Sequence, residues 1–182
     1  MELEEKTLIR SLQKSSTREF AFTQLVRKYQ ESLYWHIRKM VVVHEDADDV
    51  LQNTFIKAWK GMDNFRGDSK VSTWLFKIAT NETLSFLAQK KQKASINGEE
   101  YETELIAQLK AESYFDGNEA EKKLQEAILQ LPEKQRLVFN MKYFDDMKYE
   151  EMEEILGTSV GALKASYHHA TKKIAHYLTE SL

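Results

Sequence analysis

Apolar residues in this chain recur at steps of three and four almost wherever they cluster. The clearest run is Val160, Leu163, Tyr167, Ala170, Ile174 and Tyr177. A strand would show a period of two, so this run describes a helix with one buried face. The same spacing links Phe20, Phe22, Leu25, Val26, Tyr29, Leu33, Ile37 and Met40, which predicts a core-facing helix enlarged by Tyr34 and Trp35. Strand-like alternation is scarce, and one proline and six glycines are few breakers for 182 residues. The expected fold class is all-α.

Helix boundaries follow from the punctuation. Residues 3–40 read as two helices. A turn at Val43, His44 and Glu45 precedes Asp46, expected as an N-cap, with Asp48 and Asp49 in the first turn at the positive end of the helix dipole. That helix runs through Val50, Leu51, Thr54, Phe55 and Ala58 to about Trp59, and Gly61 stops it. A polar loop, Arg66-Gly67-Asp68-Ser69-Lys70, leads into a long helix. One side of this helix carries Val71, Trp74, Leu75, Ile78 and Phe86. Another carries Thr73, Lys77, Asn81, Ser85 and Gln89, and its tip is Lys90, Lys91 and Lys93.

Composition changes at Ala94. Residues 94–120 lack sustained periodicity and read as an acidic, flexible linker between two small helical domains, with a short helical stretch at Leu105–Leu109. The second domain starts at Glu121. Leu124, Ile128, Leu129 and Leu131 lead to Pro132, which restarts the helix, and Leu137, Val138, Met141 and Phe144 follow. Asp145-Asp146 makes a turn. A short helix with Tyr149, Met152, Ile155 and Leu156 stops at Gly157, and Thr158 or Ser159 caps the last helix.

The net charge of −3 conceals a segregation. Residues 1–93 carry 16 basic and 12 acidic side chains, residues 94–121 carry one lysine and eight acids, and residues 122–182 carry nine of each. The acidic excess lies in the linker, so overall charge does not exclude a polyanionic partner for either flank. Without cysteine there can be no disulfide, thiolate metal site or cysteine nucleophile. No apolar run approaches a membrane span, and the acidic N-terminus lacks a signal-peptide core, so a cytoplasmic location is expected. No paired acids at a cleft, Gly-rich phosphate loop or metal cluster is evident. The chain reads as no enzyme by itself, with no cofactor and no metal.

A helix, a tight turn at Gly157 and a capped second helix form the pattern of a helix-turn-helix, whose second helix enters the DNA major groove. Opposite the buried stripe lie Gly161, Ala162, Lys164, Ala165, His168 and Lys172, and Lys164, His168, His169, Lys172 and Lys173 can reach phosphate or base edges. The cationic tip and amide-bearing side of the 71–93 helix suit a polyanion that also offers base edges. Asp49, Gln52, Asn53 and Ile56 make a polar stripe broken by one aliphatic residue, suited to docking on another protein's helices.

In this order, four segments resemble the extracytoplasmic-function sigma factors, the two-domain promoter-recognition subunits of bacterial RNA polymerase. FTQLVRKYQESLYWHIRKM is similar to the family's first helical pair and EDADDVLQNTFIKAW to its core-binding helix. FRGDSKVSTWLFKIATN is similar to the loop and helix that open and read the −10 element. LPEKQRLVFNMKYFDDMKYEEMEEILGTSVGALKASYHHATKKI is similar to the −35-binding domain.

The resemblance implies a first domain over 1–93, a linker over 94–120 and a helix-turn-helix domain over 121–182. Asp49, Gln52, Asn53 and Ile56 would face the clamp helices of the largest polymerase subunit; an acid is common where Asn53 stands. Phe65, Arg66, Gly67, Asp68, Ser69 and Lys70 would receive a flipped non-template base, Asn81 would border its pocket, and Lys77, Lys90 and Lys91 would hold strand phosphates. Arginines are common at the positions of Ser166 and His169, and a small residue at that of Glu153. An anti-sigma factor is an implied partner beside polymerase core and promoter DNA. A stand-alone helix-turn-helix regulator is the alternative function, and a helical adaptor that binds only proteins a further reading.

Overall fold

The computed structural model describes residues 2–65, 67–94, 98–111 and 119–180. Among them run α1 (Glu2–Gln13), α2 (Arg18–Val41), α3 (His44–Gly61), α4 (Val71–Ala94), α5 (Gly98–Ala111), α6 (Glu119–Leu129), α7 (Glu133–Tyr143), α8 (Tyr149–Leu156) and α9 (Val160–Glu180), with a 3-10 turn at Met62–Asn64. No strand occurs among the described residues, so the all-α expectation holds.

In the first domain, α2, α3 and α4 pack on one another, and α1 lies along α2. Leu25, Leu33, Ile37 and Met40 from α2 meet Val50 and Ala58 from α3 and Leu75, Ala79 and Leu87 from α4, all buried. Phe20, expected in this stripe, is instead 72% exposed, because in the first turn of α2 it is the neighbouring Ala21 that takes the buried side. Asp46 is not the N-cap of α3. The helix starts at His44 behind Val43, and the reversal is made by Val42 at φ 68°, a left-handed conformation that a β-branched residue rarely adopts. Asp46 falls in the first turn and pairs with Lys90 of α4.

In the second domain, Ala127, Ile128, Leu131, Phe139, Ala170 and Ile174 form a core between α6, α7 and α9, and α8 packs against α9. Pro132 stands at the head of α7, where its missing N–H leaves no helical bond unmade. Gly157 closes α8 at φ 64°, and its N–H bonds the carbonyl of Glu153. The segment expected as a flexible tether contains the 14-residue helix α5, which packs on α6 and buries Leu105 and Leu109. Leu105, Ile106 and Leu109 give it a short apolar face.

The two domains do not stand apart. One apolar core includes Leu75 and Phe76 of α4 together with Met141, Met147, Met152 and Ile155 of the second domain. At its edge His36, 1% exposed, lies between the domains. Its Nδ1 meets Asp145 Oδ2 at 2.6 Å and its Nε2 meets the Thr80 hydroxyl at 2.9 Å. Lys39 adds an ion pair to Asp145 Oδ1 at 3.3 Å, with its ammonium 4.6 Å from the centre of the Phe144 ring. Asn140 donates to the Met40 sulfur at 3.5 Å. The turn predicted at Asp145-Asp146 is therefore pressed into the first domain.

Burial by itself would raise the Asp145 pKa. The His36 hydrogen bond and charge, then Lys39, outweigh it, and the pKa is lowered from 3.8. A carboxylate with a depressed folded pKa contributes stability that is present above its unfolded value and lost as pH falls through the folded one. Asp145→Asn is expected to cost about 3 kcal/mol at neutral pH, because Lys39 loses its counter-charge and His36 its carboxylate partner in a buried site. Urea unfolding followed from pH 7 downward checks this: wild type should lose stability as pH drops below 3.8, and the variant should lack that part of the slope.

Candidate functional site

The exposed face of α3 gathers Asp49, Gln52, Asn53 and Ile56, all open to solvent, with Ile56 at 50% exposure. Buried Val50, Thr54 and Ala58 alternate with them and hold the opposite side in the core. Trp59, 39% exposed, lies one turn beyond Ile56 and extends the stripe with an aromatic edge. It packs edge-on against Phe22 at 5.1 Å. A large ring one helical turn from an exposed aliphatic was the available sequence signal for it. A stripe of acid, amides and apolar side chains on a rigid helix can pair with another helix but offers nothing to a phosphate.

The loop before α4 is held from two sides. Phe65 is 8% exposed and stacks on Trp74 at 4.7 Å, so its ring anchors the loop and is not available to a base, contrary to the expectation that it faces DNA. Its carbonyl accepts a bond from the Gln13 side chain at 3.3 Å. Arg18 pairs with Asp63 in the 3-10 turn just before it. Gly67 has φ 79°, a conformation that favours glycine, and it lies against Ile9 of α1, which a Cβ there would touch at an ordinary 3.5 Å. Helix α1 thus shapes the loop, a role with no motif to announce it. Gly67, Asp68 and Lys70 are exposed and Ser69 is half-buried; Arg66 lies outside the described residues. The Lys70 carbonyl accepts the Trp74 N–H at 3.0 Å, which starts α4.

On α4, Lys77 and Asn81 are exposed one turn apart. Leu75 is buried, whereas Trp74 and Ile78 are only half-buried. Thr73, read as part of the hydrogen-bonding side, is buried; with Phe76 it lines a cavity of about 160 Å³ shared with Asp145, Asp146, Met147, Glu151 and Ile155 of the second domain. Of the lysines expected to hold the strand, Lys77 is exposed while Lys90 and Lys91 are engaged with carboxylates, as is Lys70 of the loop. Lys90 pairs with Asp46. Lys91 meets Glu133 at 2.7 Å and Lys70 meets Glu151 at 2.7 Å, both across the domain boundary. The Lys70 hydrogen bond holds the Glu151 carboxyl below its usual range; partial burial opposes this, and the Lys148 N–H and lysine charges add to the lowering.

The third surface is α9. Leu163, Ala170 and Ile174 bury one side, while Gly161, Ala162, Lys164, His168, His169 and Lys172 are exposed and Ser166 is half-buried. Ser159 caps the helix: its hydroxyl accepts the Ala162 N–H at 3.4 Å. Glu153, on the preceding helix, accepts the Val160 N–H at 3.3 Å, so the turn's first orphan donors are met from both sides. Lys164 lies 5.7 Å from the centre of the Tyr149 ring, which ties α9 to α8. Two helices crossing at a left-handed glycine, the second with small and cationic residues at its start, can enter a DNA groove.

No grouping of three metal-ligating side chains occurs among the described residues, and none of the described helices is long and apolar enough to cross a membrane. Two stretches match family models: residues 25–93 match Sigma-70 region 2, and residues 121–174 match Sigma-70, region 4. The first holds the α3 stripe and α4, the second the helix-turn-helix; together they define a two-domain sigma factor. SigW of Bacillus subtilis, an ECF RNA polymerase sigma factor, is 30% identical over 188 residues, covering 99% of this chain and all of its own. The sigma-E factor of Escherichia coli K12 is 30% identical over 181 residues, covering 95% and 93%. The chain belongs to the extracytoplasmic-function sigma factors, promoter-specific initiation factors that work with RNA polymerase. The fold agrees with that of CnrH, solved with the cytosolic domain of CnrY, at a TM-score of 0.71 and 23% identity over 98% of this chain and 99% of that one. The sigma factor RpoE of Bartonella quintana, solved with the anti-sigma factor NepR, gives a TM-score of 0.68 at 21% identity, covering 87% and 96%.

The turn before α9 makes a local prediction. Ser159→Ala should cost about 1 kcal/mol by removing the cap. Gly157→Ala should cost about 1 kcal/mol through the left-handed backbone. Thermal unfolding of each variant checks both, and the losses should not depend on whether the first domain is altered.

Proposed function

We propose that the three surfaces divide promoter recognition among them. The α3 stripe, Asp49, Gln52, Asn53 and Ile56 with Trp59, docks on the polymerase core. The 67–70 loop and Asn81 take a base of the −10 element, and Lys70, Lys77 and Lys91 hold the strand beside it. Helix α9 reads the −35 element through Lys164, His168, His169 and Lys172. The observation that carries this is the rigid junction of α3, the anchored loop and α4 on one three-helix body. A docking face there lies beside a strand-reading edge.

The physical logic is exchange. Opening a promoter costs about 1–2 kcal/mol for each base-pair step unstacked. A base seated in a pocket and phosphates held by ammonium groups offset that cost. The polymerase supplies the chemistry of RNA synthesis, and this chain supplies no catalytic group. We place it in the cytoplasm with the polymerase. CnrH was solved with the cytosolic domain of CnrY and the Bartonella quintana factor with the anti-sigma factor NepR, which supports an anti-sigma factor as a further partner here.

Mixing the full chain with polymerase core and a promoter library tests the reading. Core-dependent, sequence-specific transcripts are expected, whereas DNA binding without core and no transcripts would favour a stand-alone regulator. Replacing Asp49 and Gln52 with alanine together should weaken core binding about tenfold, an effect of about 1.4 kcal/mol, measured by titration of labelled core. Substituting Asp68 or Asn81 with alanine should slow opening several-fold on duplex promoters and much less on pre-melted ones. Equal losses on both templates would assign these residues to packing.

A further inference from the structure

We infer that the acidic edge of the second domain is a competing occupant of the strand-binding surface, so that the closed chain and the promoter-opening chain exclude each other. The inference rests on the proposed role of Lys70 and Lys91 in holding the strand. Glu151 lies on Lys70 and Glu133 on Lys91, each at 2.7 Å, where a phosphate oxygen would otherwise lie. The two lysines flank α4, 21 positions apart, which on a helix is about 30 Å. The second domain therefore spans nearly the whole strand-facing element.

Between these outer ion pairs the contact is better buried. Thr73 and Phe76 of α4 face Met147 and Ile155 across the cavity, and the buried His36–Asp145 pair with Lys39 closes its α2 side. The outer pairs are partly exposed, with side-chain exposures of 58% and 27% for Lys70 and Glu151 and 31% each for Lys91 and Glu133. Exposed pairs are weak and screened by salt, so they choose the register while the central contact supplies the adhesion. Any partner that binds only the separated domains draws the equilibrium toward opening.

The closed form leaves α9 outside the contact: Lys164, His168, His169 and Lys172 remain exposed. A locked chain should therefore keep its grip on a −35 duplex while losing the −10 function. The chain has no cysteine, so Ser72→Cys and Glu151→Cys, which line the same cavity, can be joined specifically by a reducible bis-maleimide. With core polymerase and a duplex promoter, the joined chain is expected to lose strand opening, read by permanganate reactivity, and to recover it when the linker is cleaved. Binding of the joined chain to a −35 duplex should be unchanged. Opening by the joined chain equal to that of the cleaved chain would overturn the inference.

A second pair of variants separates the lysine sites from simple obstruction of the core. Glu133→Gln with Glu151→Gln should increase binding of a single-stranded −10 oligonucleotide to the full chain without polymerase, measured by anisotropy; unchanged binding would overturn occupancy of the lysines. Lys70→Ala with Lys91→Ala should weaken that same binding. If it does not, the strand-holding reading itself falls, whatever the joined chain does.

Discussion

Everything about how the two halves meet depends on Asp145. A carboxylate with 7% side-chain exposure cannot lie unpaired in an apolar boundary, and among the described residues His36 and Lys39 of α2 answer it. His36 has no freedom of its own: one ring nitrogen faces Asp145, the other the Thr80 hydroxyl, and Phe76 packs edge-on against the ring at 5.0 Å. The net stability of such a pair is modest, because both charges leave water. Its specificity is not. A shift of the second domain by one helical turn along α4 would strand His36, Lys39 and Asp145 together, so the pair fixes the register. That register in turn decides which acids meet Lys70 and Lys91.

This also explains why part of α4 was misread. On Thr73, Lys77, Asn81, Ser85 and Gln89 the sequence shows polar residues at steps of four, a solvated side by every ordinary rule. Four of the five are exposed. Thr73 is buried because α4 has a third neighbour, α8, on the line through Thr73, Phe76, Thr80 and Thr83. Threonines fill that line and are polar by count, yet their hydroxyls find partners inside the fold: Thr83 donates to the Ala79 carbonyl at 2.7 Å and Thr80 meets the His36 ring. Hydropathy cannot separate a threonine that faces water from one that faces a second domain. The low amphipathic signal of a helix packed on several sides was the only trace.

The helices themselves, their order and the helix-turn-helix were legible, since long apolar stripes and Gly157 leave few alternatives. The exposed stripe of Asp49, Gln52, Asn53 and Ile56 on α3 was legible too, because these residues lie opposite a clean buried face. What escaped were features made by groups distant in sequence. Gln13 and Ile9 shape the loop at Phe65–Gly67 from more than fifty residues away. Glu153 stands where a small residue is common in the family, and its reason is structural here, since its carboxylate meets the Val160 N–H. Asp46 resembled a cap because acids cluster after it, but the true start is set by the reversal at Val42, a residue whose type argues against the backbone it adopts. Helix α5 was under-read because its apolar face is only Leu105, Ile106 and Leu109, too short to show a period.

The composition of α9 bears on why the two domains act as one reader. Of the residues proposed to face DNA, only Lys164 and Lys172 carry an ammonium, with Lys173 beside them, and Ser166 and His169 stand where guanidinium groups are common. Guanidinium binds phosphate bidentately and holds its charge at any physiological pH, which hydroxyl and imidazole do not. The second domain as a whole carries ten acids and nine bases, so it gains little from the long-range field of DNA. A weak half-site becomes useful when its partner half-site is held close, because tethering replaces a second bimolecular encounter with an intramolecular one. Helix α5 supports such a tether: it packs on α6 and pairs Lys110 with Glu126, shortening the free chain between the readers. On this view the weak charge of α9 is matched to its attachment, since the −35 contact acts only with the first domain and polymerase already at the same promoter.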